Sequence, residues 1–147
     1  MAPAPVPILH VEDEEYDVFF VERALQSARA NVAIHVVSDG SEAQDYLAGK
    51  GRFADRAEHP LPVLVLMDIK LPKRTGLEVL EWMKAQPSLK HLPVYILTSS
   101  AEPRDKERAF QLGIAGYIVK PPGLGALVTA LADVMLAIQS SERSSRH

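Results

Sequence analysis

The sequence contains no cysteine, and this absence removes several kinds of chemistry at once. Disulfides, thiolate metal ligands and thiol nucleophiles are excluded, and the chain fits a reducing compartment. No apolar run approaches the roughly 18 residues that a membrane span needs. Residues 1–7 also lack the basic start and apolar core of a signal peptide. We therefore expect a cytoplasmic protein with no membrane segment.

Clustered positive charge is missing as well. The net charge is −3, and no stretch of closely spaced lysines and arginines could follow a phosphate backbone. This argues against DNA binding by this chain.

With 147 residues, of which 47% are hydrophobic, the chain is long enough for one domain with a substantial core and too short for two ordinary ones.

Short apolar runs separated by polar turns organise what is present. Residues 63–67 are apolar without alternation, which is typical of a strand covered on both faces in a parallel sheet. Five such strands alternate with five helical patterns and predict a doubly wound α/β domain with right-handed crossovers. We place this domain at residues 7–138, between a flexible lead over 1–6 and a disordered tail over 139–147 that has nothing to bury.

Polar residues stand directly at the carboxyl ends of four predicted strands. They are Glu12 and Asp13, Asp68, Thr98, and Lys120. In open α/β sheets chemistry gathers beyond these strand ends, and a strand order of 2-1-3-4-5 would bring the acids of the first and third strands together. Carboxylates that close require a cation or a proton. Mg²⁺ prefers oxygen ligands, whereas zinc is a poor choice without cysteine or paired histidines.

The spacing of these residues resembles that of response-regulator receiver domains over roughly residues 7–138. Thr98 lies 30 residues after Asp68, and Lys120 lies a further 22 residues on. Any one of these motifs is weak, but several in register at the strand ends are specific. The matching positions are Glu12-Asp13, Asp68 followed by Pro72 and Gly76, Thr98, and Lys120-Pro121.

The resemblance implies a flavodoxin-like receiver fold, with a five-stranded parallel sheet of order 2-1-3-4-5 and five helices. It implies that Asp68 accepts a phosphoryl group from a phosphohistidine on a sensor histidine kinase, with self-catalysed transfer and autodephosphorylation but no separate enzymatic activity. Mg²⁺, or Mn²⁺ in its place, would be held by Glu12, Asp13, Asp68 and the backbone carbonyl of Lys70.

The resemblance also assigns supporting roles around Asp68. Lys120 would balance a phosphoryl oxygen, and Thr98 would donate its hydroxyl once the phosphate is present. The movement of Thr98 toward the phosphate would free space for Tyr117, which serves either as the switch aromatic or simply as a core residue. The Lys120–Pro121 bond is expected to be cis, as in the family, because cis bonds occur essentially only at proline.

Two features suggest how this chain differs within the family. Lys70 stands two residues after the acceptor, and with Ser99 and Ser100 it is a candidate for tuning the acyl-phosphate lifetime. The loop over residues 48–62 and the absence of an output domain resemble stand-alone regulators that accompany phytochrome-type kinases. The expected partners are such a kinase and an unknown downstream protein. A homodimer through the fourth helix, fifth strand and last helix stays open.

Three other functions remain as alternatives. A receiver-like interaction module without phosphotransfer would share the fold. An aspartate-nucleophile phosphatase would need a second aspartate as general acid where Lys70 stands. A flavodoxin-like FMN carrier would need a phosphate-binding loop rich in free N–H groups after the first strand, where this chain carries four acids.

Overall fold

The computed structural model describes the backbone of residues 4–145 and the side chains of residues 4–139. Strands and helices alternate along this part of the chain, with one short 3-10 turn at Gly51–Phe53. The strands are β1 Val6–Val11, β2 Val32–Val37, β3 Leu64–Met67, β4 Val94–Thr98 and β5 Gly116–Val119. The helices are α1 Glu15–Ser27, α2 Gly40–Ala48, α3 Gly76–Lys84, α4 Pro103–Gln111 and α5 Leu124–Ser145.

All five strands pair in parallel, in the order β2-β1-β3-β4-β5. The last residue of β1, Val11, is in register with Val37 of β2 and with Met67 of β3. The chain leaves these three strands at the same level of the sheet. The structure thus confirms the predicted fold and strand order.

The core consists of one apolar layer on each face of the sheet. Val65 and Met67 of β3 pack with α2, α3 and α4, whereas Leu64 and Leu66 pack with α1 and α5. All four side chains are almost completely buried. Burial of each contributes about 1.5–3 kcal/mol, which fixes the strand that ends at Asp68.

The loop over residues 48–62, predicted to lie on the surface, is anchored at its middle. Phe53 is buried and its ring lies 5.1 Å from that of Tyr46 and 5.2 Å from that of His59. Arg56 donates hydrogen bonds of 2.8 Å to the carbonyls of Tyr46 and Leu47. The Gly49 N–H also donates to the Tyr46 carbonyl at 3.1 Å, so Arg56 adds to the backbone bonds that end α2.

The ends of the predicted domain need correction. Helix α5 extends to Ser145, so residues 139–145 are helical where a disordered tail was expected. Continuing an existing helix costs little per residue, even for a polar sequence. At the other end β1 begins at Val6, inside the predicted lead. Residues 1–3 and 146–147 lie outside the described part of the chain.

No helix within residues 4–145 has both the length and the apolar character of a membrane crossing.

Candidate functional site

Backbone hydrogen bonds continue the sheet past the strand ends and fix the main chain of the site. The N–H groups of Glu12, Asp68 and Lys120 donate to carbonyls of the neighbouring strands at 3.0, 3.1 and 2.7 Å. These bonds hold residues that are far apart in sequence at one edge of the sheet. Their side chains meet there, as the strand-end pattern predicts.

The carboxylate of Asp68 is held at both oxygens. Its Oδ1 accepts from Thr98 Oγ1 at 2.6 Å and from the backbone N–H of Lys70 at 3.2 Å. Its Oδ2 accepts from Lys120 Nζ at 2.9 Å. The side chain is nearly buried, so this arrangement fixes its orientation. In this structure the Thr98 hydroxyl donates to Asp68 itself, and its donation to a phosphoryl group stays a prediction.

Lys120 lies among three carboxylates. Its Nζ is 2.8 Å from Glu12 Oε1, 2.8 Å from Asp17 Oδ2 and 2.9 Å from Asp68 Oδ2. Burial alone would lower the pKa of this lysine, but the three close carboxylates of Asp17, Glu12 and Asp68 outweigh it and raise the pKa above its ordinary value. The ammonium is therefore the fixed positive charge of the site.

Glu12 is a buried acid with an incompletely satisfied carboxylate. Burial raises the pKa of Glu12 to about 7, although Lys120 opposes the shift. Its Oε2 accepts from the backbone N–H of Glu14 at 3.2 Å, while Oε1 has the lysine as ionic neighbour but no hydrogen bond of normal geometry. A buried oxygen left this way beside Asp68 fits a hard cation as a further partner.

The other predicted metal ligands are less closely grouped. Asp13 is exposed, and the backbone of Lys70 contacts Asp68 through its N–H while its side chain lies in solvent. Within residues 4–145 no three acidic or histidine side chains are arranged as a metal-binding group. The assignment of Glu12, Asp13, Asp68 and the Lys70 carbonyl to a metal stays a prediction.

Tyr117 is fixed at the loop that follows β4. It is half-buried, and its hydroxyl donates to the carbonyl of Ser100 at 2.8 Å. Ser100 is itself buried, and its Oγ donates to Asp105 at 2.9 Å, while its N–H donates to Thr98 Oγ1 at 3.3 Å. Ser99 is exposed. A continuous set of contacts thus joins Tyr117 to the Thr98 hydroxyl, and its role as a switch stays a prediction.

The predicted cis bond before Pro121 is wrong for this structure. No peptide bond within residues 4–145 is cis, so Lys120–Pro121 is trans. Proline reduces the preference for trans to about 0.5–1 kcal/mol, which permits cis without requiring it.

The loop after Asp68 depends on close backbone packing at Gly76. The Gly76 N–H donates to the carbonyl of Ile69 at 2.8 Å. A Cβ at Gly76 would lie only 2.1 Å from the backbone oxygen of Asp68. Thr75 then caps α3 in a capping box with Glu78. The glycine therefore lets the helix begin directly against the acceptor.

Two residues of this region were missed by the sequence analysis. Asp17 lies in the first turn of α1, four residues after Asp13, and this helical spacing from the acidic turn was the available signal. His10 is buried in β1, and its Nδ1 has no hydrogen-bond partner. Burial, with Lys120 adding to it, lowers the pKa of His10 to about 4.

A parallel sheet of this order, with an aspartate held between a hydroxyl and an ammonium at its carboxyl edge, defines the receiver class of α/β domains. The family model of the response regulator receiver domain matches residues 8–132, and the chain belongs to this family.

Several members of the family are close in sequence and structure. Response regulator Rcp1 of Synechocystis is 33% identical over 120 residues, which are 82% of this chain and 80% of Rcp1. Its Mn²⁺-bound form aligns with a TM-score of 0.79 at 32% identity, over 88% of this chain and 91% of that one.

Two further solved structures are regulators described with phytochromes. The phosphorylated cyanobacterial phytochrome response regulator RcpA aligns with a TM-score of 0.84 at 32% identity, over 94% of this chain and 96% of its own. The bacteriophytochrome response regulator AtBRR aligns with a TM-score of 0.76 at 38% identity, over 92% of this chain and 95% of its own. The similarity extends over nearly the whole receiver fold in both cases.

Proposed function

We propose that Asp68 is the phosphoacceptor of a two-component signalling pathway. An Asp68 carboxylate oxygen forms a bond to phosphorus as the P–N bond of a phosphohistidine breaks, and the electron pair of that bond returns to the imidazole. The observation that carries the proposal is the Asp68 carboxylate, oriented at both oxygens by Thr98 and Lys120.

The surrounding residues suit this reaction because phosphoryl transfer is catalysed mainly by positioning and charge neutralisation. Lys120 would balance negative charge on a phosphoryl oxygen, and Thr98 would donate its hydroxyl to another. Glu12, Asp13, Asp68 and the Lys70 carbonyl would hold Mg²⁺ or Mn²⁺, and the buried Glu12 Oε1 supports this assignment. Such an ion supplies further neutralisation when it is bound.

The proposed phosphodonor is a histidine kinase of the phytochrome type. The solved relatives RcpA, a phytochrome response regulator, and AtBRR, a bacteriophytochrome response regulator, support this choice. An exposed aromatic patch, formed by Tyr16, Phe19 and Phe20 on α1, supports protein docking close to Asp68. Phe19 and Phe20 meet edge to face at 5.6 Å, and clustered exposed aromatics of this kind are typical of interaction surfaces.

The output surface is proposed to include α4, β5 and α5. Phe110 of α4 and Val119 of β5 are exposed apolar residues, and they support either a downstream protein or a second copy of the chain as partner. Tyr117 connects this surface to the site through its bond to Ser100. Phosphorylation would bias the surface by changing the contacts of Thr98.

Lys70, Ser99 and Ser100 are the proposed tuning positions. Lys70 follows the acceptor Asp68 by two residues and Ser99 follows Thr98 directly, and both side chains are exposed to the water that would attack the acyl phosphate. Lys70→Asn is expected to change the rate at which the acyl phosphate is hydrolysed, measured by intact mass over time. An unchanged lifetime would remove Lys70 from this role.

The acceptor assignment is tested by intact mass after incubation with Mg²⁺ and acetyl phosphate. Wild type and Asp133→Asn, a control at an exposed acid of α5, are expected to gain one base-labile phosphoryl group. Asp68→Asn should gain none. A phosphorylated Asp68→Asn would place the acceptor elsewhere. If folded wild type gains nothing from acetyl phosphate or from a phosphorylated kinase, the protein is an interaction module instead.

The docking assignment needs a pair of matched surface variants. Phe19→Ser is expected to slow phosphotransfer from a phosphorylated bacteriophytochrome kinase at least fivefold while leaving the rate with acetyl phosphate unchanged. Phe110→Ser is the control, because Phe19 and Phe110 have similar exposures of 54% and 49% but lie on different helices. Equal effects of both changes on kinase-dependent transfer would contradict docking through α1.

A further inference from the structure

The Lys120 ammonium is hydrogen-bonded to two carboxylates and lies against a third. Its Nζ donates to Asp17 Oδ2 at 2.8 Å and to Asp68 Oδ2 at 2.9 Å, and Glu12 Oε1 lies 2.8 Å away without a hydrogen bond of normal geometry. A phosphoryl group on Asp68 would compete with these carboxylates for the same ammonium. If Asp68 is the phosphoacceptor, as proposed above, one of the present contacts of Lys120 should weaken when the lysine engages the phosphate.

We propose that Asp17 is a positioning residue that holds Lys120 against α1 in the unphosphorylated protein and gives it up to the incoming phosphoryl group. The inference rests on the proposed phosphoacceptor role of Asp68. It gives Asp17 a part in setting the rate of phosphorylation, although this residue belongs neither to the acidic pair nor to the acceptor loop.

Burial identifies Asp17 as the partner that is released. Its side chain is 32% exposed, compared with 0% for Glu12 and 7% for Asp68. Water can solvate the Asp17 carboxylate once the lysine leaves, whereas a buried carboxylate left alone is costly. Asp68 also remains next to the lysine in the phosphorylated product, because it carries the phosphoryl group.

The location of Asp17 makes it separable from the rest of the site. It lies in the first turn of α1, whereas Glu12, Asp68 and Lys120 follow strand ends and are fixed by the sheet. The contact between Asp17 and Lys120 spans 103 positions of the sequence and joins α1 to the end of β5. Loss of this carboxylate would free one lysine donor while the sheet still holds the other three residues.

Charge gives the expected direction of the effect. Three carboxylates around one ammonium leave an excess of negative charge that opposes an anionic phosphodonor. Asp17→Asn removes one of these charges and weakens a competing contact of the lysine. We expect phosphorylation by acetyl phosphate to be roughly two- to fivefold faster, the range that corresponds to one partly exposed ion pair.

The test compares three variants with wild type. Asp17→Asn removes the charge, Asp17→Glu keeps it, and Glu15→Gln removes an exposed charge from the same helical turn without touching Lys120. The first readout is the initial rate of phosphorylation by acetyl phosphate, followed by intact mass. The second, which needs no phosphodonor, is the rate at which the Lys120 ammonium protons exchange with water, measured by ¹⁵N NMR.

The inference predicts faster phosphorylation and faster ammonium exchange in Asp17→Asn alone, with Asp17→Glu close to wild type. It is overturned if Asp17→Asn is no faster than wild type, or if Glu15→Gln gives the same acceleration, since the effect would then be general charge repulsion. A wild type that gains no phosphoryl group contradicts the proposed function itself. Ammonium exchange then decides separately whether Asp17 holds the lysine.

Discussion

Replacement of Lys120 by methionine provides the sharpest test of the charge balance at this site. The substitution keeps a long side chain but removes the positive charge that lies within 2.9 Å of Glu12, Asp17 and Asp68. Removing one partner from a buried ionic group typically costs about 3–5 kcal/mol, because the remaining charges stay buried. Since Asp17 is partly solvated, we expect about 3 kcal/mol at pH 8.

The loss should depend on pH because Glu12 can take up a proton. Burial raises the pKa of Glu12 to about 7 even with the lysine beside it. A carboxyl with a raised folded-state pKa contributes stability that is fully present below its unfolded value and is lost as the pH rises through the folded one. Without Lys120 the pKa of Glu12 should rise further. At pH 5 Glu12 would be neutral and the variant should lose less stability.

Thermal unfolding in metal-free buffer at pH 5 and pH 8 measures this effect. For a chain of this length about 3 kcal/mol corresponds to a fall in Tm of roughly 10 °C. We expect that fall at pH 8 and less than half of it at pH 5. Lys70→Met is the control, because Lys70 is exposed and no carboxylate among the described side chains of residues 4–139 forms an ion pair with its ammonium. Surface changes of this kind usually stay within about 0.5 kcal/mol.

Added Mg²⁺ extends the same experiment to the predicted metal site. If Glu12, Asp13 and Asp68 bind the cation, Mg²⁺ at pH 8 should raise the Tm of Lys120→Met more than that of wild type. In the variant the cation meets the carboxylates of Glu12 and Asp68 without the ammonium of Lys120 beside them. A variant as stable as wild type at pH 8, or equally destabilised at both pH values, would refute this account of the site.

Three further substitutions test other contacts. His10→Leu should reduce the loss of folding free energy between pH 6.5 and pH 4 by about 3 kcal/mol. The pKa of His10 is lowered to about 4 in the folded protein, so wild type loses stability as the pH falls from 6.5. Urea-unfolding free energies of wild type and variant that change with pH in parallel would contradict this. Gly76→Ala should slow phosphorylation at least tenfold and lower the free energy of unfolding by about 1–3 kcal/mol, because the added Cβ would meet the Asp68 carbonyl. An unchanged phosphorylation rate, measured by intact mass, would be inconsistent with that contact. Tyr117→Phe should lose about 1 kcal/mol in urea unfolding, the value of the bond to Ser100, and no loss would make that bond negligible.

The fold and the strand-end residues could be predicted because they depend on local patterns. The apolar run before Asp68 requires cover on both faces, and the structure provides it through two helical layers. Parallel strands bring their carboxyl ends to one edge, so Asp68, Thr98 and Lys120 meet once the strand order is known. These features follow from periodicity and from the register of the sheet.

The features that were missed depend on three-dimensional contacts. Asp17 lies 103 positions from its lysine, and its helical spacing from Asp13 does not identify Lys120 as its partner. The anchored loop depends on Phe53 entering the core and on Arg56 reaching the end of α2, which a polar and glycine-rich composition conceals. The proline isomer before Pro121 depends on a small energy difference that its neighbours decide.

The arrangement of charges explains how one lysine can serve both states of a phosphoacceptor. In the structure Lys120 lies between three acids and offsets part of their mutual repulsion, and it thereby keeps Asp68 in place. Transfer of a phosphoryl group adds negative charge beside the same ammonium, so the partner that water solvates most easily should leave. Asp17 meets that condition, and its place on α1, next to the exposed Tyr16, Phe19 and Phe20, puts the contact beside the surface where a phosphodonor is proposed to dock.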